Sequence, residues 1–248
     1  DEGSQELFPV MTDLFAENVY GDESLNKNSW NSLRKGSNAT NPFTFMNHFG
    51  NAPSGSEWDR NDPKLIEQHA HSFIYHFGGR FPNFISLDKI NWEDNNPNSG
   101  PILAVQQLQT LPDVGVVGFN WLDSNDCDDY TYTMAPEGKL VSLTVKIENG
   151  KGITAITPQI GVMDPAQMHN LVGVDAIEVV NVPKYGLVNL RFRMKGGNWG
   201  DWLTPFEKSD NVTATNKKTY EVQTDIVGIC TRKQTGYGVT DFAIAYRK

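Results

Sequence analysis

Between residues 62 and 77 apolar side chains recur at intervals of three and four. Leu65, Ile66, Ala70, Phe73, Ile74 and Phe77 fall on one side of a helix. The ends agree with that reading: Asp62 can cap, Pro63 suits the first helical position, and Gly78 suits a left-handed stop. Short apolar runs flank the helix. "FTFMNH" predicts a strand at 43–46 and "NFISLDKINW" a strand at 84–88, so strand, helix and strand make a βαβ unit of parallel type. Upstream, "ELFPVMTDLFAENVYG" spaces Leu7, Met11, Leu14 and Phe15 at helical intervals, with Pro9 disturbing the start.

The stretch "NWEDNNPNSGP" (91–101) is polar and dense in Asn, Pro and Gly, which marks a boundary. Beyond it the period changes to that of strands, and a pattern repeats. Leu140-Val141-Ser142-Leu143, Leu187-Val188-Asn189-Leu190 and Ile226-Val227-Gly228-Ile229 share apolar-Val-x-apolar, and Gly150, Gly197 and Gly236 each follow the Val by nine residues. Residues 150–154 and 236–240 also share Gly-x-Gly-[Ile/Val]-Thr. Three copies of a twisted hairpin predict three small sheets around one core, a β-prism. The expected organisation is α+β: residues 1–95, a linker at 96–101, and an all-β module over 102–248.

A chain of 248 residues can bury a sizeable core. A net charge of −9 argues against a nucleic-acid partner, since phosphate binding needs clustered Lys and Arg. The sequence holds no apolar run near the ~20 residues that span a bilayer. The polar start "DEGSQELFPV", without Met, and the sequons at Asn38 and Asn211 lead us to expect a processed, secreted glycoprotein. Cys127 and Cys230 are a disulfide candidate or two buried thiols.

Asn47-His48-Phe49, the helix at 62–77, Pro82-Asn83-Phe84 and Asp88 together resemble the last part of the catalytic barrel of phosphatidylinositol-specific phospholipase C-like phosphodiesterases. The resemblance covers about 1–95 and implies part of a (β/α) TIM-type barrel, with Asn47, His48 and Asp88 lining its mouth at the strand ends. That family's chemistry uses a pair of histidines as general base and acid, from the first half of the barrel, and no segment here matches that half. The resemblance therefore implies a chain that is not catalytic alone and is completed by a separate chain or another copy, with a phospholipid head group or glycan as ligand. The triplicated half is similar to the vitelline membrane outer layer protein fold and to jacalin-type lectins, through Trp199-Gly200-Asp201-Trp202 and "GYGVTDFAIAYRK".

Trp199, Trp202 and Tyr237 stand beside Gly-rich turns, where aromatic faces suit sugar stacking; inward packing in the prism is the competing reading. No cofactor is implied. His69 and His71 point about 200° apart on a helix, so they cannot share a metal, and with His76 they are read as residues bordering the apolar stripe. The acidic loop with Asp123, Asp126, Asp128 and Asp129 could offer oxygens to calcium, but it lacks the EF-hand glycine and terminal Glu and reads as a solvated turn. Three functions stay open: a module of a phosphodiesterase assembly, a lectin or coat component, and a lipid phosphodiesterase completed by a partner.

Overall fold

The computed structural model describes residues 11–26, 31–50, 61–87, 100–118, 129–134, 140–148, 152–160, 168–182, 186–203, 217–222, 224–234 and 238–248. The chain forms two compact units, Asp1–Thr110 and Leu111–Lys248.

The first unit is built on the predicted βαβ. Strands β2 (Phe43–His48) and β3 (Phe84–Leu87) pair in parallel, and helix α2 (Pro63–His76) lies between them in sequence. Asp62 Oδ1 accepts from the amides of Lys64 (2.7 Å) and Leu65 (3.3 Å), and Gly78 turns the chain at φ 66°. Ile66, Ala70, Phe73, Ile74 and Phe77 are buried as their spacing requires. A third strand, β1 (Phe15–Glu17), pairs in parallel with the other side of β2.

The helical spacing upstream survives for a single turn, α1 (Met11–Leu14). From Phe15 the chain is extended because a strand there buys what a helix cannot. The Phe15 ring reaches those of Phe43, Phe45 and Phe84 at 5.6, 5.8 and 5.7 Å. Leu7 lies outside the described residues. Helix α3 (Gly100–Leu108) packs against α2 and belongs to this unit, and the expected linker at 96–101 overlaps its first turn. Among the described residues the parallel sheet has three strands, with β1 and β3 at its borders; a barrel segment is not shown.

The second unit is β throughout its described residues. Its strands are β4 (Val114–Gly118), β5 (Asp129–Met134), β6 (Leu140–Glu148), β7 (Gly152–Ile160), β8 (Met168–Asn170), β9 (Val174–Val182), β10 (Gly186–Met194), β11 (Lys217–Glu221), β12 (Ile226–Gln234) and β13 (Gly238–Arg247). They form three antiparallel sheets, in the orders β7-β6-β8, β10-β9-β11 and β4-β13-β12-β5, and the strands β7, β10 and β13 meet pairwise. This is the three-sheet layout of a β-prism.

The threefold repeat is real, but its middle copy starts at Val174 and not at Leu187. In hairpins β6–β7, β9–β10 and β12–β13 the return strand opens on a left-handed glycine: Gly152 (φ 78°), Gly186 (φ 76°) and Gly238 (φ 91°). Each glycine comes twelve residues after its hairpin begins at Leu140, Val174 and Ile226. The irregularities match as well. The register steps past Val141, Asp175 and Val227 near the start of each hairpin, and past Thr154, Val188 and Thr240 two residues beyond each glycine. Leu187-Val188 is thus return strand. It imitates the opening motif because both strands of a hairpin send alternate residues to one core.

The same glycines join the hairpins to one another. A Cβ on Gly152 would stand 2.8 Å from the Leu187 carbonyl oxygen, one on Gly186 2.4 Å from that of Val239, and one on Gly238 2.9 Å from that of Ile153. Each touches the residue just after the next hairpin's glycine, which closes a ring around the pseudo-threefold axis.

Candidate functional site

Two polar constellations stand out, one in each unit. The first lies where β1 and β2 end. Asn18, directly after β1, continues the pairing with its side chain: Asn47 N–H donates to its Oδ1 (2.7 Å), and its Nδ2 donates to the Asn47 carbonyl (3.0 Å). Those two bonds fix which way the Asn18 amide points. Asn83 does the equivalent at the other end of β2, accepting Thr44 N–H at its Oδ1 (2.8 Å) and donating its own N–H to the Thr44 carbonyl (3.0 Å).

Asn47 Nδ2 donates to Glu17 Oε1 (2.9 Å) and to the Asn18 carbonyl (3.0 Å). Arg34 Nη1 reaches both oxygens of Glu17, at 3.0 and 2.9 Å, and its guanidinium lies 4.8 Å from the centre of the Tyr20 ring. A carboxylate only 2% exposed is thereby compensated.

His69 joins the cluster from α2. Its Nε2 lies 3.5 Å from Asn18 Nδ2, and its Nδ1 lies 2.7 Å from Nδ1 of His48. An amide N–H only donates, so His69 Nε2 is the acceptor in the contact with Asn18, and of the two facing Nδ1 atoms one donates to the other. His48 is 1% exposed, Asn47 3% and His69 fully buried. The arrangement ties β1, β2 and α2 together through groups that face one another.

The sequence reading placed Asn47 and His48 at strand ends, and they are there, turned inward; Asp88 lies outside the described residues. His69 is a correction. It was read as bordering the apolar stripe but belongs to it, three residues after Ile66 and four before Phe73, the spacing that should have placed it inside. Glu17, Asn18 and Arg34 were missed, because contacts among loops and strand ends have no period. Among the described residues no three His, Cys, Asp or Glu side chains converge as metal ligands. His76 Nδ1 donates to the Ser72 carbonyl (2.8 Å), and burial lowers His76 to about 3 and His71 to about 4.

The second constellation covers one face of the sheet β10-β9-β11. After β10 the chain turns at Gly196 (φ 70°) and runs back alongside it, with Gly200 N–H donating to the Phe192 carbonyl (2.8 Å) and Leu203 N–H to that of Leu190 (3.1 Å). This return carries Trp199 and Trp202. Both are half-buried and stack on cations of the face opposite Ile177, Val179 and Leu190. The Arg191 guanidinium lies 5.0 Å from the centre of Trp199 and 4.4 Å from that of Trp202, Arg193 lies 5.4 Å from Trp199, and Lys217 Nζ lies 5.1 Å from Trp202.

Carboxylates interleave with these cations. Arg191 Nε and Nη2 both reach Glu178 Oε2 at 2.6 Å, while Arg193 donates to Asp175 (2.7 Å) and Glu221 (2.6 Å). The hydrogen bond to Asp175 is the main reason the Arg193 guanidinium is held above its ordinary pKa, with Glu221 adding to it. Inward packing, one of the two readings of Trp199 and Trp202, is therefore set aside in favour of a position on the outside. The two arginines went unread, although the alternation Arg191-Phe192-Arg193 puts both on one face.

Tyr237, Cys127, Asn211, Asp123, Asp126 and Asp128 lie outside the described residues, and Asp129 is described by its backbone alone. Cys230 is buried in β12. Asn38 is exposed, and its Oδ1 accepts from the amide (3.0 Å) and hydroxyl (2.9 Å) of Thr40. Among the described residues no helix is long and apolar enough to cross a membrane.

No protein-family model and no curated protein sequence matches the chain. Solved structures do. The second β-prism domain of RbmC from V. cholerae, bound to N-acetylglucosaminyl-β-1,2-mannose, is 22% identical, with 53% of this chain and 97% of that one covered and a TM-score of 0.34. A prostate-specific WGA16 glycoprotein lectin is 12% identical, with coverages of 54% and 100% and a TM-score of 0.36. A mannose-binding lectin from Champedak is 11% identical, with coverages of 54% and 95% and a TM-score of 0.32.

Proposed function

We propose that the chain is a secreted saccharide-binding protein whose β-prism presents its ligand surface on the sheet β10-β9-β11. The observation that carries this reading is the layer of Trp199 and Trp202 over Arg191 and Arg193, threaded with Asp175, Glu178 and Glu221. A pyranose offers C–H faces to indoles and hydroxyls that both donate and accept. A surface alternating aromatic faces, guanidinium donors and carboxylate acceptors meets each of those demands. The first unit serves as scaffold in this reading, since its buried polar groups engage one another. Completion by a second chain into a phospholipase C-like assembly rests on the resemblance of residues 1–95 alone.

A glycan array probed with the full chain tests the reading. Binding is expected, with a change in tryptophan fluorescence on titration, and Trp202→Ala should weaken it about tenfold or more. An array with no bound glycan, or a Trp202→Ala chain that binds as well as the parent, overturns it.

A further inference from the structure

Charge is unevenly spread over this face. In the register of the sheet, Arg193 and Glu221 both stand opposite Ala176, Arg191 and Thr219 opposite Glu178, and Asn189 and Lys217 opposite Val180. At the first of these rows one guanidinium meets two carboxylates, Asp175 and Glu221, so the row carries an excess negative charge. In the middle row Arg191 and Glu178 balance. At the last row Lys217 stands over Trp202, and among the described residues it has no carboxylate in ion-pair reach. Lys217 and Glu221 are four residues apart on one strand, about 13 Å, which exceeds the ~8 Å screening length at physiological salt. The two ends therefore do not cancel, and the face is dipolar along the strand.

Resting on the saccharide reading of this face, we infer that its ligand is an acidic saccharide, bearing a carboxylate or sulfate that pairs with Lys217. The ring lies on the indole of Trp202, the anion sits beside the exposed Lys217 ammonium, and hydroxyls further along donate to Asp175 and Glu221. A neutral sugar keeps the stacking and the hydroxyl contacts but leaves the positive end unused. A ligand placed the other way round would bring its anion against Asp175 and Glu221, so the dipole also sets orientation. The net charge of −9 does not oppose this, because at pairing distance one unscreened neighbour outweighs remote charges beyond a Debye length.

The test is isothermal titration of the full chain with matched pairs: a uronic acid glycoside against its neutral hexoside, and a sulfated oligosaccharide against its unsulfated parent. The acidic member should bind about five- to tenfold tighter at low salt, with the gap closing as salt rises. Whichever pair shows the gap identifies the anion as carboxylate or sulfate. In Lys217→Gln the acidic member should fall to the affinity of its neutral counterpart. Equal affinities within both pairs, a preference for an amino sugar, or a gap that persists in Lys217→Gln overturns the inference while leaving saccharide binding intact. If no member of either pair binds, the inference falls, and the glycan array decides whether the saccharide reading falls with it.

Discussion

The Ser72 carbonyl holds the Nδ1–H of His76 at 2.8 Å, and His71 lies one residue before that serine on the same helix. Burial keeps both rings neutral in the folded chain, to about 3 for His76 and about 4 for His71, whereas both titrate near 6.5 when unfolded. Between pH 6.5 and 4 the unfolded state therefore binds more protons, and stability falls as pH falls. Above pH 6.5 the full contribution is present. Each histidine should remove on the order of 2 kcal/mol between pH 6.5 and 5. Urea unfolding, followed by hydrogen exchange of the α2 amides, should show that loss, and His76→Gln, which retains a donor for Ser72, should roughly halve it. An α2 stability independent of pH from 7 to 5 would contradict the burial of these rings.

Three glycines decide whether the hairpins close on one another. Gly186, Gly152 and Gly238 combine a positive φ with carbonyl oxygens 2.4, 2.8 and 2.9 Å from where a Cβ would stand, whereas Gly196 (φ 70°) has nothing within 4 Å. Gly196→Ala should therefore cost about 1 kcal/mol, for backbone conformation alone. Gly186→Ala should cost at least ~2 kcal/mol more, because backbone cannot swing aside as a side chain can. Urea midpoints of the four alanine variants test that order, and equal losses at Gly186 and Gly196 would remove the ring. The sequence made such hairpins legible where period and turn chemistry coincide, as in Gly152-Ile153-Thr154 and Gly238-Val239-Thr240. It misled where one pattern serves two strands, at Leu187-Val188. Helix α2 was legible to its caps, but β1 was not, since three residues show no period and their extended form depends on Phe43, Phe45 and Phe84 from elsewhere in the chain. The candidate face was half legible: its tryptophans drew notice, while their partners Arg191 and Lys217 are fixed by sheet register, which sets them opposite Glu178 and Val180, 13 and 37 positions away.

The two units differ in how completely they cover themselves. In the second, Leu143, Ile156, Ile177, Leu190, Ile229 and Ile244 are buried on three sheets that close around one axis, and β4 from residue 114 is needed to border one of them. A chain beginning at Leu111 should therefore fold alone, unfold cooperatively and keep the saccharide affinity of the whole. The first unit has a parallel sheet, a type that ordinarily buries both faces. Here α2 lies toward the side of Met46 and His48, while the rings of Phe15, Phe43, Phe45 and Phe84 share the other side, with Phe43 46% and Phe84 51% exposed. The outer edge of β1 is covered, Glu17 N–H donating to Ser37 Oγ (2.8 Å) and the Glu17 carbonyl accepting from Arg34 N–H (2.9 Å), so the exposed rings themselves are the apolar surface on that side. Residues 1–110 produced alone should self-associate, and Phe43→Thr with Phe84→Thr should return them to single-chain size in gel filtration. Should the unaltered fragment elute as a single chain while 111–248 aggregates, the division of the core between the two units would be wrong, because the exposed aromatic face would then cost nothing and the closed prism would depend on residues before 111.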